Sequence, residues 1–92
     1  MAAYKINYKP SIEKDIRSIP KSELRKIIIR IEALASNPRP FGYEKLTTQN
    51  KCRLRQGDYR IIYRVYHKEV LILILTVGHR KDVYKHTARK FN

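Results

Sequence analysis

Residues 70–77 read Val-Leu-Ile-Leu-Ile-Leu-Thr-Val, the longest apolar run in the chain, and this run limits the folds open to it. It is far shorter than the roughly 20 residues that span a bilayer as a helix. A short buried helix is the competing reading. Val, Ile and Thr are stiff at χ1 and favour strands, so the composition selects a strand. Continuous apolarity is expected of a central strand buried on both faces. Gly78 breaks the run.

Two more strands precede it. Tyr59 to Tyr66 is rich in aromatic and β-branched residues, and His67-Lys68-Glu69 makes a turn into the apolar run. Lys51, Arg53 and Arg55 alternate with Cys52 and Leu54, and Gln56-Gly57-Asp58 turns that strand into the next. The three strands form an antiparallel meander.

The first half of the chain has a different period. Tyr4 to Tyr8 alternates apolar and polar residues, as a short strand does. After Pro10, Ser11 is placed to cap a helix, with Glu13 and Asp15 near its positive end. Ile12, Ile16 and Ile19 share one face of that helix. Pro20 stops it and suits the first turn of the next. Leu24, Ile27, Ile28, Ile31 and Leu34 then form the stripe of an amphipathic helix, closed by Asn37-Pro38-Arg39-Pro40. These two helices make a helical hairpin. Lys81 to Phe91 has few apolar anchors (Val83, Tyr84, Phe91), which predicts a short, weakly held terminal helix. The expected fold is α+β: one domain over residues 1–92, with the helices packed on one face of the sheet. The first strand is expected at a sheet edge.

Charge indicates the partner. Lys and Arg number 21 against eight Asp and Glu, a net +13 in 92 residues. A polyanion, an acidic protein or an anionic membrane would suit such a surface, and nothing in the sequence favours the membrane. The opening residues carry no apolar signal segment, and a single cysteine, Cys52, cannot form an internal disulfide. Both fit a reducing cytoplasm.

The placement of the cations is more specific. Period two puts Lys51, Arg53 and Arg55 on one sheet face and sends Cys52 and Leu54 to the core. In a meander the end of the third strand lies beside the start of the second, so Arg80 comes near Arg60. About five cations then share one surface, which like-charge repulsion disfavours unless an anion neutralises them. A lone Lys or Arg on a strand is usually just a solvated residue. The group as a whole points to nucleic acid. No glycine-rich phosphate loop is present. His67, His79, His86 and Cys52 lack zinc-site spacing, and no acidic pair is placed to hold magnesium. No metal or other cofactor is expected.

Cys52-Arg53-Leu54-Arg55-Gln56-Gly57-Asp58-Tyr59-Arg60-Ile61-Ile62-Tyr63, followed by Leu75-Thr76-Val77-Gly78-His79-Arg80-Lys81-Asp82-Val83-Tyr84, closely resembles the RelE/ParE toxin superfamily. Leu34 to Pro38 and Glu44-Lys45-Leu46 are also like that family. The resemblance covers essentially the whole chain and implies a RelE-like fold. It implies a toxin of a type II toxin–antitoxin system that cuts messenger RNA in the ribosomal A site without metal, through attack by the 2′-hydroxyl. The catalytic residues implied by position are Lys51, Arg53, Arg60, Arg80 and Tyr84. Arg55, His79, Lys81 and Lys85 are the implied RNA-binding residues. The implied partners are a RelB-like antitoxin, the ribosome with its rRNA, and mRNA. Some relatives use a histidine or glutamate as base, which leaves His79 and His86 open. The alternatives are a gyrase inhibitor like ParE and an inactive RNA-binding relative.

Overall fold

A computed structural model of the chain describes residues 3–46 and 50–79. In chain order the elements are β1 (Lys5–Tyr8), α1 (Ile12–Ile16), α2 (Lys21–Ala33), β2 (Glu44–Lys45), β3 (Lys51–Gln56), β4 (Tyr59–Tyr66) and β5 (Leu71–His79). The strands make one sheet in the order β1-β5-β4-β3-β2. Strands β2 to β5 pair antiparallel, and β1 lies parallel to β5 at the edge, because a two-helix crossover separates it from the meander. The terminal helix expected at Lys81 to Phe91 lies outside the described residues.

Both helices cover one face. Ile12, Ile19, Ile27, Ile31 and Leu34 pack on Cys52, Leu54, Ile61, Tyr63, Val65, Ile72, Ile74 and Val77. Each fully buried Ile or Leu stabilises the fold by roughly 1.5–3 kcal/mol relative to an exposed one. The helical hairpin is shorter than its apolar spacing implies. Helix α1 spans five residues, and Ile19 reaches the core beyond it, on a turn closed by Ile19 N–H donating to Ile16 O at 3.1 Å. Ser11 has helical backbone angles and makes no side-chain capping bond. The Asp15 carboxylate has a different role from the one expected, accepting a bond from Val77 N–H at 3.2 Å. This ties α1 to β5 beyond the point where β1 ends.

β5 is not buried on both faces. Ile72, Ile74 and Val77 enter the core, whereas Leu71, Leu73 and Leu75 are half-buried. A bulge explains the pattern. Ile62 pairs with Thr76 and Tyr63 with Ile74, which leaves Leu75 as an extra residue. The shift keeps Val77 on the helix side with Ile72 and Ile74, and turns Thr76 and Gly78 to the open face.

The segment after α2 is pinned to the sheet. Buried Tyr63 donates its hydroxyl to Pro38 O at 2.7 Å, and burial pushes its phenol well above the usual range, so it remains a donor. Arg39 Nη2 donates to His67 Nε2 at 3.4 Å, and Tyr4 Oη lies 3.1 Å from His67 Nδ1. Arginine can only donate, so the ring proton sits on Nδ1 and is given to Tyr4.

The β4–β5 turn carries strain. Val70, with φ +51°, follows His67-Lys68-Glu69, and its N–H donates to His67 O at 3.2 Å. This is where a hairpin of this kind normally places glycine. The left-handed conformation costs an L-residue about 1–2 kcal/mol. Val70→Gly is expected to raise stability by about 1 kcal/mol in thermal unfolding. A lowered melting temperature would show that the half-buried valine side chain outweighs the strain.

Candidate functional site

The face away from the helices is built by register. Arg55 pairs with Arg60, and Arg60 with Gly78, in one row across β3, β4 and β5. The next row joins Arg53 to Ile62 and Thr76, with Glu44 of β2 opposite Arg53. A third joins Lys51 to Arg64 and Leu73. Five cations thus share two neighbouring strands of one face, as the alternation in β3 requires.

Their environments differ. Arg60, in the middle strand, is 8% exposed and is the buried charged residue among those described. An anion docking there meets a cation already withdrawn from water, where its field is less screened. Arg53 holds the Glu44 carboxylate at 2.6 Å, so part of its charge is offset from within the sheet. Arg55 is exposed, and its Nε donates to Gly57 O at 3.0 Å, which folds it toward the β3–β4 turn. Arg30 of α2 reaches the same corner and donates to Arg55 O at 3.3 Å. Arg64 lies over the Tyr66 ring, 5.0 Å from its centroid. Lys51 is half-buried between the others.

His79 is not with this group. Its register partner is Tyr59, which alternates with Arg60, and the two rings meet edge-on at 5.8 Å. That places it on the helix side, beside a cavity of about 600 Å³ that Glu23, Lys26, Arg55, Asp58 and Tyr59 also line. There His79 shares a cavity with Arg55 of the cationic group. Arg80, Lys81, Tyr84, Lys85 and His86 lie outside the described residues.

Arg64 and Glu44 also belong to this face. Arg64 follows Arg60 by four in a strand, so period two alone would have placed it on the cationic face. Glu44 gave no such signal, because a two-residue strand has no readable period. Cys52 is buried, and burial raises its thiol pKa, so it is no nucleophile at neutral pH. Among the described residues no group of three His, Cys, Asp or Glu could hold a metal ion, and no helix is long and apolar enough to cross a membrane.

Clustered guanidinium groups beside a lysine can bind two phosphate oxygens at once and stabilise charge developing on them. The sheet gives them a rigid floor.

Residues 6–84 match the family described as ParE toxin of type II toxin-antitoxin system, parDE. The chain is 33% identical over 76 residues to a Methanocaldococcus jannaschii protein designated toxin RelE1, covering 78% of this chain and 84% of that one. A chain of the archaeal RelE–RelB complex from Pyrococcus horikoshii OT3 superposes with a TM-score of 0.76 at 32% identity, over 85% of this chain and 96% of that one. The isolated E. coli RelE toxin shares the fold, with a TM-score of 0.74 at 17% identity over 98% of this chain and 100% of the other.

Proposed function

The chain belongs to the ParE toxin family of type II toxin–antitoxin systems, within the RelE/ParE superfamily, and from this premise we propose that it is an endoribonuclease that cuts messenger RNA in the ribosomal A site. The observation that carries this reading is the open sheet face, where Lys51, Arg53, Arg55, Arg60 and Arg64 stand in adjacent rows. A gyrase-binding surface has no need of cations converging where a phosphate would react.

In this mechanism the 2′-hydroxyl of a messenger nucleotide attacks the adjacent phosphorus in line, and the 5′-oxygen of the next nucleotide leaves. Arg60 and Arg80 hold the phosphate oxygens as charge grows on them. Lys51 takes the proton from the 2′-hydroxyl. Arg53 gives a proton to the leaving 5′-oxygen and recovers one from water, and Tyr84 stacks on a base. The ribosome supplies the substrate alignment that so small a domain cannot. A RelB-like antitoxin with acidic and apolar segments is the proposed inhibitor, and toxin and target meet in the cytoplasm.

Toeprinting of ribosomes incubated with the purified protein tests the reading, with a break inside the A-site codon as the expected result. Cleavage should survive EDTA in a buffer that keeps ribosomes assembled, and its product should end in a 2′,3′-cyclic phosphate. A 5′-phosphate with a free 3′-hydroxyl would refute attack by the 2′-hydroxyl. Intact messenger, with supercoiling by purified gyrase inhibited, would move the chain to the other branch of the superfamily.

A further inference from the structure

Glu44 and Arg53 make the tightest ion pair among the described residues. Glu44 Oε2 lies 2.6 Å from Arg53 Nη2, whereas Glu13 with Arg17 and Glu23 with Lys26 stand at 4.0 and 3.9 Å. Those two pairs join neighbouring turns of one helical segment. This one joins two strands, because Glu44 of β2 is the register partner of Arg53. The hairpin does not depend on it. Lys45 pairs with Cys52, and Leu46 N–H donates to Lys51 O at 2.8 Å, so backbone bonds hold β2 in register. The Glu44 side chain is 62% exposed, and an ion pair open to water on one side adds little to stability. Its main consequence is geometric. A long guanidinium side chain loses rotamer freedom when it is fixed, and here that loss is taken before any substrate arrives.

The place of Arg53 in the face makes that geometry matter. Its row continues through Ile62 and Thr76, which carry no charge, so Arg53 is the cation of that row. On one side lies the row of Arg55 and Arg60, and on the other the row of Lys51 and Arg64. Lys51 and Arg55 flank Arg53 on its own strand and face, and their repulsion favours any rotamer that carries its guanidinium away. The Glu44 carboxylate works against that drift. By engaging Nη2 it fixes the plane of the guanidinium and the directions of its donors. Groups that act on a transition state are most effective when already aimed. We propose that Glu44 is the positioning residue for Arg53, holding the guanidinium in the orientation from which a proton reaches the leaving 5′-oxygen. Glu44 acts through Arg53 and takes no proton from the substrate. This inference rests on the ribonuclease reading above.

Glu44→Ala removes the carboxylate, and Glu44→Gln keeps an acceptor oxygen on a side chain of the same length. Single-turnover cleavage on saturating ribosomes should slow by up to about 10² for Glu44→Ala, the usual cost of a misplaced group, and Glu44→Gln should recover most of that loss. Affinity is measured on ribosomes carrying a messenger with a 2′-deoxy sugar at the cleavage position, which blocks reaction. It should not fall in either variant, so the loss belongs to the chemical step. In an Arg53→Ala background, Glu44→Ala should cost nothing further, because its effect passes through Arg53. Circular dichroism melts should show both Glu44 variants folded like the wild type. Three results would overturn the proposal: a wild-type rate for Glu44→Ala, an equal loss in Glu44→Gln, or a further loss on top of Arg53→Ala. The last two are what a glutamate acting directly as base would give. Cleavage by the wild type is scored separately. If it cuts messenger and Glu44→Ala cuts as fast, only the positioning role fails. If the wild type does not cut on ribosomes, the ribonuclease reading fails and the role of Glu44 with it.

Discussion

Arg60→Ala is expected to slow messenger cleavage on ribosomes by about 10²–10³ while the protein stays folded, the usual cost of deleting one donor to a transition-state oxyanion. Arg60 sits between Arg55 and Gly78 on the middle strand and is largely withdrawn from water. A charge held there in advance needs little solvent rearrangement when the phosphate becomes more negative, so its effect falls on the chemical step. The fold should tolerate the change, because the substitution also removes repulsion from Arg55 directly opposite. Single-turnover cleavage on saturating ribosomes isolates the step, and a circular dichroism melt checks the fold. Arg80→Ala should lose a similar factor. A near-wild-type rate for Arg60→Ala in a folded protein would remove the row from the active site.

The second large effect is that of salt. Raising monovalent salt from 50 to 200 mM should weaken association with the ribosome by on the order of 10³, as expected when six or more phosphates are neutralised. Lys51, Arg53, Arg55, Arg60 and Arg64 supply most of that number from one face, and the remaining surface of a +13 chain supplies the rest. Glu44 provides an internal check. Its ion pair with Arg53 at 2.6 Å offsets one cation. Glu44→Gln should therefore make the salt dependence steeper by about one unit of log affinity per log salt. A dissociation constant indifferent to salt would mean that the cations do not face phosphate in the complex.

Period-two alternation made the cationic strand legible in the sequence. Cys52 and Leu54 are buried as their spacing requires, which leaves Lys51, Arg53 and Arg55 on the other side. Tyr59 to Tyr66 is a strand for the same reason, since its aromatic and β-branched residues fit a pleated surface. The errors have physical causes too. Reading residues 70–77 as buried on both faces hid the alternation that sets Ile72 and Ile74 apart from Leu71 and Leu73. The Leu75 bulge, which resets that alternation, has no sequence signature. Ser11 looks like a cap, but its backbone is already helical and α1 is too short to need much capping. The partnership of Glu44 with Arg53 depends on a two-residue strand that exists only because β3 is there to pair with it. No local pattern encodes the burial of Arg60.

The parallel pairing of β1 with β5 also sets an order of assembly. β3, β4 and β5 are joined by tight turns, so their pairing closes short loops at little entropic cost. Lys5 pairs with Leu71, a closure that needs almost the entire described chain between them. Contacts so distant in sequence form late and slow the folding of the whole. The hairpin bearing Arg53, Arg55 and Arg60 takes shape while its neighbour β5 still lacks β1 along one edge and Asp15 has yet to reach Val77. During synthesis the sheet cannot close until translation has passed His79, so a toxin of this design stays unlocked on the ribosome until β5 has been made.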